Sequence, residues 1–167
     1  MKLRQLRESD AVLMLEWLLD SNVTAFFRFD SSRSTVESAR EYIRRANAEE
    51  DSVHFAITDD DKDEYLGTVS LKNINQINRN AEYAICLRSA AIGKSVAKQA
   101  TDLILKYGFE ELKLHRIYLD VLSENVRAVK FYEKYDFMYE GEFRDHLMHK
   151  GKLKSLKFFA AINPEEQ

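Results

Sequence analysis

The stretch that decides the fold runs from Glu82 to Tyr132. With its flanks it reads AEYAICL (81–87), RSAAIGKSVAKQATDLILKYGFEELK (88–113), HRIYLDVL (115–122) and SENVRAVKFYEKYDF (123–137). Alternating apolar residues mark 81–87 and 116–122 as strands. Between them, Val96, Ala97, Ala100, Leu103, Ile104 and Tyr107 fall on one side of a helix predicted over 94–112. The pattern is therefore strand, tight turn, long helix, strand, short helix. The turn Ile92, Gly93, Lys94, Ser95, Val96, Ala97 opens the long helix, where unpaired backbone N–H groups and the helix dipole favour an anion such as a diphosphate. Lys94 adds a positive charge beside it. In the last helix Asn125 and Tyr132 stand seven residues apart, two turns, so they share a face with Ala128 between them.

Working outward, Lys2–Leu6 alternates as a first strand, and Ser9 is placed to cap a helix through Leu19. Asp20–Asn22 ends that helix, and Phe26, Phe27 and Phe29 follow in a cluster with Arg28 and Asp30. Thr35 and Glu37 open a second helix that closes near Ala48. Strands are expected over 53–58 and 65–74, with Gly67 marking a bulge or a close approach. Ser123 is the expected N-cap of the helix 125–135, and strands 137–148 and 153–162 turn back through Lys150–Gly151. Strands and helices do not strictly alternate. The expected class is α+β, with a largely antiparallel sheet and a parallel pair where the long helix crosses over.

The chain has 167 residues, 45% hydrophobic and 32% charged, enough for one sizeable core and read as a single domain over 1–167. A net charge of −3 argues against a general nucleic-acid binder. No apolar run reaches membrane-spanning length, and no basic-then-apolar leader is present, so a cytoplasmic protein without membrane association is the expectation. One cysteine, Cys86, excludes an internal disulfide, and four dispersed histidines lack metal spacing, so no metal is expected.

The segments 82–87, 92–97 and 123–137 resemble the acetyl-CoA-binding core of the GNAT N-acetyltransferases. Within that superfamily the likeness is to the branch of ribosomal-protein N-terminal, spermidine, aminoglycoside and amino-sugar acetyltransferases. The order of elements resembles that branch along nearly the whole chain, and the core motif covers about a third of it. The resemblance implies a twisted seven-stranded sheet, splayed between strands four and five, with about four helices. It also implies acetyl-CoA as co-substrate. The family turn is written (Q/R)xxGx(G/A). Here Ile92 replaces the leading polar residue and Ser95 the central glycine, while Ala97 is kept. Backbone groups hold the diphosphate, so these departures bear on affinity, and Ser95 fits if its φ stays helical.

Each candidate has a plain structural reading beside the functional one. Asn125 suits an amide-bearing chain, and Ala128 lets that chain approach the helix. The resemblance implies that Asn125 contacts the cofactor and that Tyr132 protonates the departing thiolate, as a protonated phenol can. An isolated Asn or Tyr would read as helix filler, but the whole string NxxAxxxYEKxxF after a strand favours function. Glu82 is the candidate base for an amine that must lose a proton, against the alternative of a solvated strand-end carboxylate. Backbone N–H groups of Ile85, Cys86 and Leu87 are candidates to hold the thioester carbonyl. The Cys86 thiol reads as a small core group. Trp17, Arg28 and Phe29, with Glu82, are the candidate acceptor contacts, since the family builds its acceptor pocket in this region.

With the resemblance, these residues imply a direct-attack N-acetyltransferase acting on a small-molecule amine. An amino-deoxy sugar or its nucleotide is the expected acceptor, because aromatic faces suit a ring and Arg28 or Arg33 suits a diphosphate. Protein N-termini, polyamines and aminoglycosides are the alternatives. A catalytically silent acyl-CoA-binding module is the rival from another class, and the retained Tyr132 argues against it. The sequence leaves monomer or homodimer open.

Overall fold

A computed structural model describes residues 1–135 and 137–166. Seven strands form one sheet in the order β1-β2-β3-β4-β5-β7-β6: β1 Lys2–Gln5, β2 Val53–Thr58, β3 Tyr65–Asn75, β4 Asn80–Leu87, β5 Arg116–Leu122, β6 Met138–His149 and β7 Lys152–Ile162. Every neighbouring pair is antiparallel except β4–β5. That parallel pair needs a long crossover, and α4 (Val96–Glu110) provides it. The other helices are α1 (Ala11–Leu19), α2 (Ser21–Thr24), α3 (Val36–Ala48) and α5 (Val126–Lys134). The single turn α2 is the one helix beyond the expected four; Asp20 caps it by accepting from the Asn22 N–H at 2.9 Å.

The helices cover both sheet faces. On one, Ala100, Ile104 and Leu105 of α4 and Val129 and Tyr132 of α5 pack on Leu71, Tyr83, Ile117, Leu119 and Phe159. On the other, Met14, Trp17 and Leu18 of α1 meet Ala39, Ile43 and Ala46 of α3 over Ala56 and Tyr65. Burial of these side chains is the main stabilising term, at about 1.5–3 kcal/mol for each large aliphatic or aromatic group.

Only three residue pairs join β4 to β5: Asn80↔Arg116, Ala81↔Ile117 and Glu82↔Tyr118. Past Glu82 the strands part, which is the splay that the resemblance implies. Tight packing maintains β4 on its other side. A Cβ on Gly67 would sit 2.3 Å from the Cys86 carbonyl oxygen, so only glycine lets β3 approach β4 there.

Three local expectations are corrected. Ser9 does not cap α1. Residues Glu8–Asp10 form a 3₁₀ turn, whose buried Asp10 accepts from the Arg7 N–H at 2.9 Å and from Arg4 at 2.8 Å. Ser123 does not cap α5. Asn125 does, accepting from the Ala128 N–H at 3.3 Å, while the Ser123 hydroxyl donates to Glu142. The long helix begins at Val96 and not at Lys94, and Ser95 precedes it at φ 61°, in the left-handed region, outside the helical φ on which its fit was made conditional.

Candidate active site

Parting the strands opens a cleft of about 710 Å³. Its walls come from β4, the turn before α4, the end of β5, α5 and the segment after α2. Of the residues singled out from sequence, Glu82, Ile85, Cys86, Leu87, Ile92, Gly93, Ser95, Val96, Ala97, Asn125, Ala128, Tyr132, Arg28 and Phe29 all line it. Two do not. Lys94 is exposed beside the turn, and Lys98, one helical turn on, takes a place in the wall instead. Trp17 is buried in the α1–α3 core, where its indole N–H donates to the Tyr65 hydroxyl at 3.0 Å. Its ring meets Phe27, which lines the cleft, edge to face at 5.7 Å.

The geometry of the turn suits an anion. Gly93 has φ 80° and Ser95 has φ 61°, so the chain doubles back before α4 starts. The first backbone bond into the helix runs from the Gln99 N–H to the Ser95 carbonyl at 3.1 Å, leaving the earlier N–H groups of the first turn without a helical acceptor. The macrodipole of a fifteen-residue helix adds to their pull. Lys98 and Arg127 line the cleft and suit further phosphate oxygens. These groups fit an elongated, phosphate-bearing ligand. Asn125 lies farther along; its carbonyl oxygen is used by the Ala128 N–H, so its amide NH₂ is the group that can donate to a ligand.

Tyr132 is held in an aromatic cage. Tyr83 meets it edge on at 6.1 Å, Phe137 at 5.5 Å and Phe159 at 5.8 Å. Burial pushes its phenol pKa well above the ordinary value, because the apolar surroundings disfavour the phenolate. Among the described residues, none takes its hydroxyl. Tyr83, by contrast, shares a hydrogen bond with the Thr101 hydroxyl at 2.8 Å. Burial likewise pushes the Cys86 thiol up, keeping it neutral and a poor nucleophile.

Glu82 marks the point of the splay. Its carboxylate accepts from Lys72 Nζ at 2.8 Å and from the Asn73 amide at 2.9 Å. Lys72 faces it across the β3–β4 register. Beyond Glu82 one edge of β4 has no strand beside it, and alternate N–H groups there open into the cleft. Asp120 was not anticipated. It lies two residues along β5 from Tyr118, the partner of Glu82, and forms an ion pair with Arg28. It is the one polar position in the run Leu119–Leu122, which was its only trace in the sequence.

The acetyltransferase (GNAT) domain family matches residues 1–138. The chain belongs to the GNAT family of acetyltransferases. As a member it is an acetyl-CoA-dependent N-acetyltransferase. A GNAT relative, the uncharacterized N-acetyltransferase p20 of Bacillus licheniformis, is 30% identical over 98% of this chain and 93% of its own length. The spermidine N(1)-acetyltransferase of Vibrio cholerae is 35% identical over 60% of this chain and 58% of that protein. The crystal structure of the spermidine N-acetyltransferase from the same organism, in complex with CoA and spermine, superimposes with a TM-score of 0.86, at 26% identity, covering 97% of this chain and 95% of that one. Among the described residues no helix is long and apolar enough to cross a membrane.

Proposed function

We propose that this GNAT acetyltransferase acetylates a primary amine of a small aliphatic polyamine, by direct attack within a ternary complex. The observation that carries the reading is the presence of two carboxylates, Glu82 and Asp120, in the cleft where β4 and β5 part. Carboxylates attract an ammonium group and help it shed the proton that blocks attack. The 35% identity to a spermidine acetyltransferase supports the same acceptor class.

In this reading the diphosphate of acetyl-CoA rests on the turn 92–97, with Lys98 and Arg127 beside it. Asn125 donates to an amide of the pantetheine arm, and Ala128 leaves that arm room. Backbone N–H groups within 85–87 hold the thioester carbonyl. Glu82 draws the proton from the amine, directly or through water. Its ion pair with Lys72 fixes the carboxylate in place. The amine nitrogen bonds to the carbonyl carbon, the carbon–sulfur bond breaks, and Tyr132 gives its proton to the leaving thiolate.

An amino-deoxy sugar is the second reading. Phe26, Phe27 and Phe29 line the same cleft with Arg28, and aromatic faces suit a ring. A turnover panel of spermidine, nucleotide amino sugars, aminoglycosides and short peptides decides between them. The polyamine reading expects kcat/KM for spermidine at least tenfold above the rest, about 1.4 kcal/mol in transition-state binding. An amino sugar leading by that margin reverses the assignment.

A further inference from the structure

Asp120, one of the two carboxylates on which the proposed function rests, is already engaged by a cation of this chain, Arg28. Both line the cleft. Asp120 is rooted in β5, in register with Phe158 of β7, so its backbone is fixed by the sheet. Its side chain is 21% exposed, and the Arg28 guanidinium lies against its Oδ1 as an ion pair. A carboxylate on a cleft wall that holds one cation can exchange it for another that aligns better with its oxygens.

Arg28 is anchored quite differently. Its side chain is 47% exposed and comes from the irregular segment after α2. That segment is tied down from outside by the β6–β7 hairpin: His149 Nε2 lies 3.0 Å from the Phe27 carbonyl, and Lys150 donates to the Ala25 carbonyl at 2.8 Å. Phe29 beside it is 60% exposed. A rigid acid thus faces a half-exposed cation on an irregular arm.

We propose that Asp120 is the seat for an ammonium group of the acceptor, and that Arg28 is an in-chain plug for that seat. The proposal rests on the reading of this cleft as a polyamine site. The guanidinium compensates the partly buried carboxylate while the acceptor is absent. An incoming ammonium displaces it, and Arg28 swings toward solvent. Neutral acceptors are then disfavoured, because they leave Asp120 unpaired when Arg28 moves.

The test measures spermidine binding by calorimetry to protein saturated with CoA. Asp120→Asn, which keeps the shape, is expected to weaken spermidine at least tenfold. Arg28→Ala, at a half-exposed position, is expected to tighten it at least threefold. The double variant should be as weak as Asp120→Asn. The Kd for CoA should stay within twofold throughout. Equal binding by wild type and Asp120→Asn overturns the proposal, as does absence of spermidine binding in every form. Weaker binding by Arg28→Ala removes the plug, and this variant decides even if Asp120→Asn fails to fold. If spermidine binds through Asp120 but is not acetylated, the polyamine reading of function falls while the cation seat stands.

Discussion

At the scale of single residues, Tyr132 combines two properties that rarely coincide. It is packed like a core residue, with Tyr83, Phe137 and Phe159 around its ring, yet it lines the cleft. Burial raises its pKa, so the phenol carries its proton through neutral and moderately basic pH. Tyr132→Phe keeps the ring packing and removes only the proton donor. The expected result is a fall in kcat of roughly 10²–10⁴-fold with little change in Kd for acetyl-CoA. Because the group does not titrate in the working range, the variant's pH–rate profile below about pH 9 should keep the wild-type shape at lower height. Steady-state kinetics and a binding titration check both. Wild-type turnover would make the tyrosine purely structural. Its candidacy came from the two-turn spacing from Asn125, a local, helical relation, and from the likeness of the whole string 125–137 to the family motif. Trp17 misled for the opposite reason. Aromatic residues serve cores and pockets alike, and only the tertiary packing of α1 against α3, with the hydrogen bond to Tyr65, puts it in the core.

Among the elements, the turn into α4 has the most to test. Ser95 stands at φ 61°, a region that costs an L-residue about 1–2 kcal/mol. Ser95→Gly removes that strain but loosens the unfolded chain by about 0.4–1 kcal/mol. The net gain should fall between about 0 and 1.6 kcal/mol, a rise in Tm of up to roughly 6 °C for a chain of this size. Gly93 is the reverse case. A Cβ there meets no atom within 4 Å, so the penalty for Gly93→Val comes from φ 80° alone, at about 1–3 kcal/mol. Thermal melts of the two variants should move in opposite directions, and Gly93→Val should also weaken acetyl-CoA. A Tm loss for Ser95→Gly would mean the serine hydroxyl contributes what the backbone argument omits. Sequence placed this turn well because a strand, a glycine and an apolar helical stripe follow one another. It did not reveal the left-handed serine, since φ depends on how α4 meets the sheet.

For the molecule as a whole, ligand and pH are the useful probes. If the cleft binds acetyl-CoA, a concentration of 100 times Kd should stabilise the fold by about 2.7 kcal/mol, read as a rise in Tm. No rise at millimolar acetyl-CoA would contradict the proposed cofactor site. Acid stability reports on the far end of the sheet. Burial tends to raise the Asp63 pKa, but hydrogen bonds from Lys2 and Arg7 and the charge of Arg4 outweigh it and lower the value to about 2. The unfolded value is near 3.9. A depressed carboxylate stabilises the fold above its unfolded pKa, and that contribution is lost as pH falls from there through about 2. Asp63→Asn should therefore lower Tm clearly at pH 6 and progressively less toward pH 2. A deficit that stays constant across this range would show that Asp63 acts by packing.

The sequence by itself determined the main strands and helices, the class of sheet, the tight turn before α4 and the Asn125–Tyr132 spacing. All of these rest on short-range periodicity, which 3.6-residue and two-residue repeats write directly into the chain. Tertiary structure alone decided what the cleft contains. The Lys72–Glu82 pair depends on the register of β3 against β4, and the Arg28–Asp120 pair depends on where an irregular segment crosses the mouth of the splay. The exclusion of Trp17 and Lys94 from the cleft, and the entry of Lys98, follow from which side each element turns toward the sheet. Such contacts join residues far apart in the chain, and no local repeat records them.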